Sequence, residues 1–538
     1  MSEKVEAKNN NQFLKGTLIL TISSIVVKVI GSLNWIILSR VLGGEGIGLY
    51  QMGFPMYLMA ITVSSAGIPV AISIMTAEKL ARKDYRGAKK IFNVSLRLLL
   101  ISGLIFSTAL YLGAGWLVDS NIIRDSRAYY SIVALSPAVF FVTFLSSFRG
   151  YLQGWQIMTP TAVSEIVEQL LRVITMLIFA DLLMPYGLAY AAGGASMGAG
   201  VGAFCALLVL MWFYARLKKK LQKEFAAQDD SIPEEASGQI IKRLLKLALP
   251  VSLSSLMLPI GANLDLLIVP QRLEAAGFDV REATEFFGYL TGMAVPLVNL
   301  AAIFTAAMTT SLVPSISESR ALQDFAAIRA KIRIAFRVAL IVSVPCAVGL
   351  FFLAEQVAAL IYNAPGAAGA IQTMSIGILF LGLHQISTGV LQGLGKTAIP
   401  VINMIIAGIV KVIMSWQLTA VPTLGVKGAA LATVADFGVA AIINMLFIYR
   451  FTGYGIALGS ILKPGLAAAL MGGSIYAVLQ LTSAWGGWSI LAAFAVAVPV
   501  YAVGLLGCGG LHKDDLQQIP FVGRRLLAVG QRLGIFAR

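Results

Sequence analysis

The chain has 538 residues, 58% of them hydrophobic and only 12% charged, with a mean hydropathy of +0.83 and a formal net charge of +15. Soluble domains are about 45–50% apolar and roughly a quarter charged, so this composition excludes a soluble globular protein. The basic excess lies in the connections between apolar runs, which argues against a nucleic-acid partner and for membrane lipids as the surroundings.

In chain order, apolar runs of about twenty residues fall at roughly 14–38, 47–75, 89–117, 128–153, 159–184, 187–214, 244–270, 286–313, 335–354, 369–392, 397–420, 425–449, 464–481 and 487–508. None alternates with a period of two. Only helices or closed barrels satisfy every backbone group in hydrocarbon, so these runs predict an all-α integral membrane protein of about fourteen transmembrane helices. Residues 1–12 are polar and lead into the first run without a small-residue cleavage pattern, so no removable signal is expected.

Lysine and arginine collect on alternate connections: residues 79–90, 216–246 and 320–333, Lys396, Arg450, Lys463 and the two ends of the chain. The opposite face receives only Arg40, Arg124, Arg127, Arg272, Arg281 and Lys427. The positive-inside rule therefore predicts a multi-pass protein with both termini cytoplasmic. Residues 516–538 alternate apolar side chains with arginines, the pattern of an amphipathic helix on an anionic leaflet or, alternatively, of a protein-binding helix.

The chain repeats itself. Gly150-Tyr151-Leu152-Gln153-Gly154 recurs 239 positions later as Gly389-Val390-Leu391-Gln392-Gly393. Pro55 matches Pro296, Glu78 matches Glu318, Arg97 matches Arg337, Arg172 matches Lys411, and Asn34 matches Asp265. Six spans per repeat is an even number, so the halves share an orientation, and a pseudo-twofold axis along the membrane normal is expected. The expected domains are an N-terminal six-helix bundle (1–216), a charged cytoplasmic linker (217–243) and a C-terminal six-helix bundle (244–453). Two additional helices (454–510) and a basic tail (511–538) follow.

Four strings carry a resemblance: Leu38-Ser39-Arg40-Val41-Leu42-Gly43 leading to Gly48-Leu49-Tyr50-Gln51, then Phe148-Arg149-Gly150-Tyr151-Leu152-Gln153-Gly154, Val269-Pro270-Gln271-Arg272-Leu273 and Ser311-Leu312-Val313-Pro314-Ser315-Ile316-Ser317-Glu318. With the six-plus-six-plus-two plan, they resemble the stage V sporulation protein B family of the multidrug/oligosaccharidyl-lipid/polysaccharide exporter superfamily. That family is similar to the lipid II flippases, which move undecaprenyl-pyrophosphate-linked peptidoglycan precursor across the cytoplasmic membrane. The resemblance implies two bundles around a central cavity that opens alternately to either side. Flippases of Gram-negative type carry several cavity arginines near the first two spans. Here Lys28 stands where one of them falls, Asn34 takes the next position, and residues 55–71 contain no basic residue.

An ionised side chain at mid-membrane costs about 2.5–3.5 kcal/mol on insertion scales, so each one requires a reason. Lys28 reads either as a cavity cation for the substrate pyrophosphate or as a lysine pairing across helices. Glu165, Glu168 and Arg172 share one helical face at spacings of three and four. Arg172 can pair with Glu168 within its helix, and Glu165 with Arg149 on the preceding one, as a cavity wall or as a structural network. Lys411 occupies the position of Arg172 in the second half, with Asp436 as a candidate partner. Asp265, Asn403 and Asp436 offer oxygen ligands for a coupling Na⁺ or H⁺, while neutralisation of Lys411 by Asp436 is the plainer alternative. Arg40 and Arg272 read as gate residues or structural caps at an outer rim. His384 reads as a hydrogen-bonded packing residue rather than a proton relay. The glycines of residues 193–200 permit close helix contact, and Pro55, Pro137, Pro250, Pro259, Pro296 and Pro345 fall within or near spans, where they kink helices that bend during gating or simply pack.

No Walker, GxSxG or metal-ligand motif is present, so no enzyme activity and no cofactor are expected. Cys205, Cys346 and Cys508 are too scattered for a disulfide framework. The resulting expectation is a flippase for lipid II, with Lys28, Arg149, Arg172 and Lys411 meeting the polyprenyl-pyrophosphate-linked glycan and cell-wall synthesis enzymes as further partners. Alternatives are another polyprenyl-linked polysaccharide precursor, a cation-coupled multidrug antiporter, or a scaffold that transports nothing.

Overall fold

The computed structural model describes residues 2–220, 235–482 and 485–510, with side chains from residue 19 onward except those of Thr21 and Ser254. Part of the charged linker and all of the 511–538 tail, including its expected amphipathic helix, lie outside the described residues. Among the described residues every regular element is helical. The principal helices are α1 Ser2–Ser65, α2 Ile68–Ala81, α3 Tyr85–Asp119, α4 Tyr129–Gly154, α5 Thr159–Leu183, α6 Leu188–Lys220, α7 Ser237–Ala275 and α8 Val280–Gly288. They continue with α9 Val295–Ala301, α10 Ile303–Ala321, α11 Phe325–Phe352, α12 Ala368–Gly393, α13 Ala398–Leu418, α14 Val426–Thr452, α15 Leu458–Leu481 and α16 Trp488–Gly507.

Ten of the described helical stretches are long and apolar enough to cross a bilayer, twelve if each of two bent pairs is one span. One of these, Ile22–Ala81, has 60 residues, about three times what a ~30 Å hydrocarbon core requires at ~1.5 Å per residue. It is two crossings, divided inside α1 at Gly43, whose φ of 67° and ψ of −176° only glycine adopts without strain. Helix α5 has the length of a span, and Glu165, Glu168, Arg172 and Asp181 give it more charge than the others tolerate. Every one of the fourteen expected runs falls on a helix.

The repeat is visible in the backbone. Helices α4 and α12 start and stop 239 residues apart. The Asp84 carboxylate caps α3 by accepting from Gly87 N at 2.8 Å, and Asp324 caps α11 by accepting from Ala327 N at 2.9 Å. Left-handed residues recur as the pairs Lys83 and Gln323, and Asn121 and Asn363.

The chain divides into two compact units: Met1–Gln271 with Asp279–Gly288, and Arg272–Phe278 with Tyr289–Arg538. Most of α7 and all of α8 thus pack in the first unit, although the repeat register counts them with the second half. The first unit's core joins Ile72, Met75, Phe92, Phe148 and Leu210 to Ile240, Leu244 and Ala248 of α7. The second is centred on Ile316, Ile332, Phe336, Ile386 and Val390, and the Tyr501 hydroxyl on α16 donates to Ile341 O at 2.8 Å. Large apolar side chains remain uncovered, among them Leu104, Ile105 and Leu112 on α3 and Leu491, Phe494 and Val503 on α16. Such surface suits lipid and not water. Trp116, Tyr130, Tyr186 and Tyr190 ring one end of the first unit, and Trp212, stacked under the Arg216 guanidinium at 3.7 Å, marks the other.

Candidate functional site: a charged wall in the first unit

Helix α6 meets α5 through glycines four residues apart. A Cβ at Gly194, Gly198 or Gly202 would lie 2.6, 2.7 or 2.5 Å from the carbonyl oxygens of Phe179, Arg172 and Glu168, respectively. The two backbones therefore touch, and α5 is held rigidly where its charges stand. Helix α1 runs along another side of α5: Gly31 faces Gln169, and the Asn34 amide donates to Met176 Sδ at 3.1 Å. Lys28 lies one helical turn before Gly31, on the stretch of α1 that follows the charged part of α5. Lys28 is exposed, and its ammonium makes no ion pair or hydrogen bond among the described residues.

The ion pairs differ from those the helical spacing predicts. Glu168 pairs with Arg149, at 2.8 Å, and not with Arg172 four residues along its own helix. Arg149 also donates from Nε to Ser164 Oγ at 3.3 Å. Glu165, expected to hold Arg149, is half-buried and without an ion pair among the described residues. Arg172 reaches instead to α1, where its Nη2 donates to the Tyr57 hydroxyl at 3.1 Å. Its Nε is enclosed without an acceptor, and no carboxylate pairs with it among the described residues. The wall thus contains one neutralised arginine, Arg149, and two cations, Lys28 and Arg172, with which no carboxylate among the described residues forms an ion pair.

Tyr57 was not among the residues singled out in the sequence. Its neighbours give a partial signal: Tyr50, Phe54 and Tyr57 lie one helical turn apart, and their rings follow one another at 5.8 and 5.7 Å, with Trp35 edge-on to Tyr50 at 5.6 Å. A second residue that sequence patterning did not mark is Asn263 on α7, whose amide donates to the carbonyls of Pro55 at 2.9 Å and Pro259 at 2.8 Å. It ties α7 to the second arm of α1 through the carbonyl of Pro55.

The other candidates are dispersed. Asp265 belongs to the first unit, Asn403 and Asp436 to the second. The Asn403 amide is engaged by Asn444, donating to its Oδ1 at 2.7 Å, and Asn444 in turn donates to Ser387 at 3.2 Å and Thr388 at 3.1 Å. Lys411 on α13 and Asp436 on α14 are half-buried on adjacent helices. Arg40 is exposed at the end of the first arm of α1. Arg272 caps α13: its Nε donates to Trp416 O at 2.9 Å and its guanidinium lies 4.5 Å from the centre of that indole ring. His384 departs from expectation, because its buried Nδ1 has no hydrogen-bond partner among the described residues.

Residues 13–320 match the model of the polysaccharide biosynthesis protein family, and residues 291–417 match the MatE family. Stage V sporulation protein B of Bacillus subtilis (strain 168) is 30% identical over 518 residues, covering 96% of this chain and 99% of the relative. The lipid II flippase MurJ of the same organism is 26% identical over 463 residues, covering 83% of this chain and 84% of the relative. A solved structure of lipid II flippase MurJ in an inward closed conformation shares the fold, with a TM-score of 0.66 at 17% identity, covering 90% of this chain and 98% of that one. The chain is therefore a multi-pass membrane protein that belongs to the polysaccharide biosynthesis protein family, within the multidrug/oligosaccharidyl-lipid/polysaccharide exporter superfamily.

Proposed function

We propose that the protein is a flippase for a polyprenyl-pyrophosphate-linked glycan, with the peptidoglycan precursor lipid II as cargo, working in the bacterial cytoplasmic membrane with both termini cytoplasmic. The observation that carries this reading is Arg172. A guanidinium in the membrane-spanning part of a protein normally has a carboxylate beside it, because an unpaired buried charge is strongly destabilising. Arg149, close by, follows that rule through Glu168. Among the described residues Arg172 bonds a neutral hydroxyl and no carboxylate, and a diphosphate headgroup supplies a negative charge through hydrogen bonds that are stronger for being charge-assisted. Lys28, exposed on the neighbouring helix, offers a second cation to the same headgroup. The polyprenyl tail stays in lipid while the head crosses, and an ion gradient, the membrane potential or consumption of the product outside drives the step. The similarity to lipid II flippase MurJ supports the cargo class.

The test is rescue of bacteria depleted of their own lipid II flippase, with lipid II accessibility at the outer face as the readout. Wild type is expected to restore outward lipid II, and Arg172→Ala or Lys28→Ala at matched membrane levels to lose at least tenfold of that activity. A well-inserted wild type that fails to restore it removes lipid II as the cargo. A fully active Arg172→Ala removes the arginine from substrate binding.

A further inference from the structure

The way Arg172 is held is unusual for a cation that must be both fixed and available. A carboxylate would orient the guanidinium but cancel its charge, as Glu168 does for Arg149. Tyr57 orients it with an uncharged oxygen: the hydroxyl accepts from Nη2 at 3.1 Å, and the guanidinium carbon lies 6.0 Å from the ring centre, within the outer reach of a cation–π contact. The tyrosine is itself immobilised. It is 2% exposed and ends the ring series Trp35–Tyr50–Phe54–Tyr57, which links the two arms of α1 across the break at Gly43. From the other side the backbone of Arg172 is pinned by Gly198, where no side chain fits. Backbone and side chain are thus both fixed, while no carboxylate among the described residues forms an ion pair with the guanidinium.

We propose that Tyr57 is a positioning residue that presents the Arg172 guanidinium to the diphosphate of the substrate, its neutral hydroxyl leaving the whole charge for the ligand. This rests on the reading of Arg172 as the anion-binding group. The hydroxyl restricts the guanidinium before the ligand arrives, and such preorganisation raises affinity by removing an ordering cost from the binding step. A carboxylate at position 57 would hold the arginine more tightly and bind diphosphate less.

The experiment is calorimetric titration of the full chain in nanodiscs with inorganic pyrophosphate. Farnesyl diphosphate, titrated in parallel, separates preference for a free diphosphate from preference for a lipid-linked one. Wild type binds, and Arg172→Ala loses binding. Tyr57→Phe, which keeps the ring and the packing, binds about tenfold more weakly, the size expected for losing a hydrogen bond to a charged group. In the Arg172→Ala background Tyr57→Phe changes nothing further. Tyr57→Glu binds more weakly than Tyr57→Phe, provided its melting temperature shows a folded protein. If wild type does not bind, or Arg172→Ala binds as well as wild type, the reading of Arg172 fails and the inference falls with it. If Arg172→Ala loses binding while Tyr57→Phe binds like wild type, or if the two substitutions act additively, the inference alone fails and the role of Arg172 stands.

Discussion

At the scale of single residues, the glycines of α6 show how little space separates the helix carrying the charges from its neighbour. Gly202 faces the carbonyl of Glu168, with a would-be Cβ at 2.5 Å and the Arg172 Cβ at 3.0 Å, whereas nothing lies within 4 Å of the corresponding position at Gly113 on α3. Gly202→Val is therefore expected to push α6 off α5 at a cost of about 1–3 kcal/mol or more, since backbone cannot yield as a side chain does. Gly113→Ala is expected to be neutral or to stabilise by up to about 1 kcal/mol, because alanine suits a helix better. Thermal melts of the two purified variants, read against wild type, test the pair. Small residues in the sequence of α6 imply close contact over 193–200, and the contact extends past that run to Gly202. A glycine-rich run cannot say which of its members touch. A Cβ at Gly200, inside that run, would meet nothing nearer than 3.9 Å. The ion pairs were misassigned for a similar reason. Spacing identifies partners on one helix, and here the competing partners come from other helices: Arg149 lies 19 positions from Glu168, and Tyr57 lies 115 from Arg172.

At the scale of elements, α7 and α8 lie lengthwise against the second arm of α1 and α2, and the two ends of that seam differ in kind. At one end Glu78 pairs with Arg243, both side chains 42% exposed, and Lys79 bridges Asp84 and Glu235 at 3.1 Å each. A pair as exposed as Glu78–Arg243 is worth about 0–1 kcal/mol and is screened by salt, whereas Lys79 and Asp84, 11% and 6% exposed, are screened less. Midway, the Ser252 hydroxyl donates to Ala66 O, and Asn263 holds Pro55. At the far end the contact is backbone on backbone, Gly48 against Thr284 and Gly288 against Gly44. There the Thr284 hydroxyl also donates, at 2.9 Å, to Asp125, which is 3% exposed and already paired with Arg127. Raising the salt concentration is accordingly expected to speed amide hydrogen exchange over residues 237–252 several-fold while leaving 280–288 unchanged, as followed by mass spectrometry. Equal acceleration at both ends would contradict this difference. The π-helical turn Tyr289–Ala294 directly after α8 marks where the chain leaves this seam.

At the scale of the whole molecule, hydropathy made the helices legible, because a lipid-facing helix must be apolar over about twenty residues whatever it packs against. Hydropathy and self-similarity together located all fourteen runs and the register of the repeat, which the backbone reproduces at Asp84 and Asp324 and in the matched limits of α4 and α12. Packing partnership was not legible in the same way. Helix α7 has the sequence of a first span in a repeat, and nothing in that pattern states which core will receive Ile240, Leu244 and Ala248. The charged wall was legible as a set of residues that should not be in a membrane, and much less so as a geometry.

The division of the chain has a consequence for how the protein is made. Polypeptide leaves the first unit at Gln271, re-enters it at Asp279 and leaves it again at Gly288. A nascent chain that has inserted α1 to α6 still lacks Ile240 and Leu244 from its core and Thr284 from its rim, however long the ribosome pauses in the linker. The first unit is therefore finished only after synthesis has moved well into the second repeat. Chains truncated at residue 220 are expected to remain open to protease in microsomes or inverted vesicles, and chains truncated near 300 to yield a resistant fragment. The halves that arose by duplication would then no longer be the pieces in which the molecule folds.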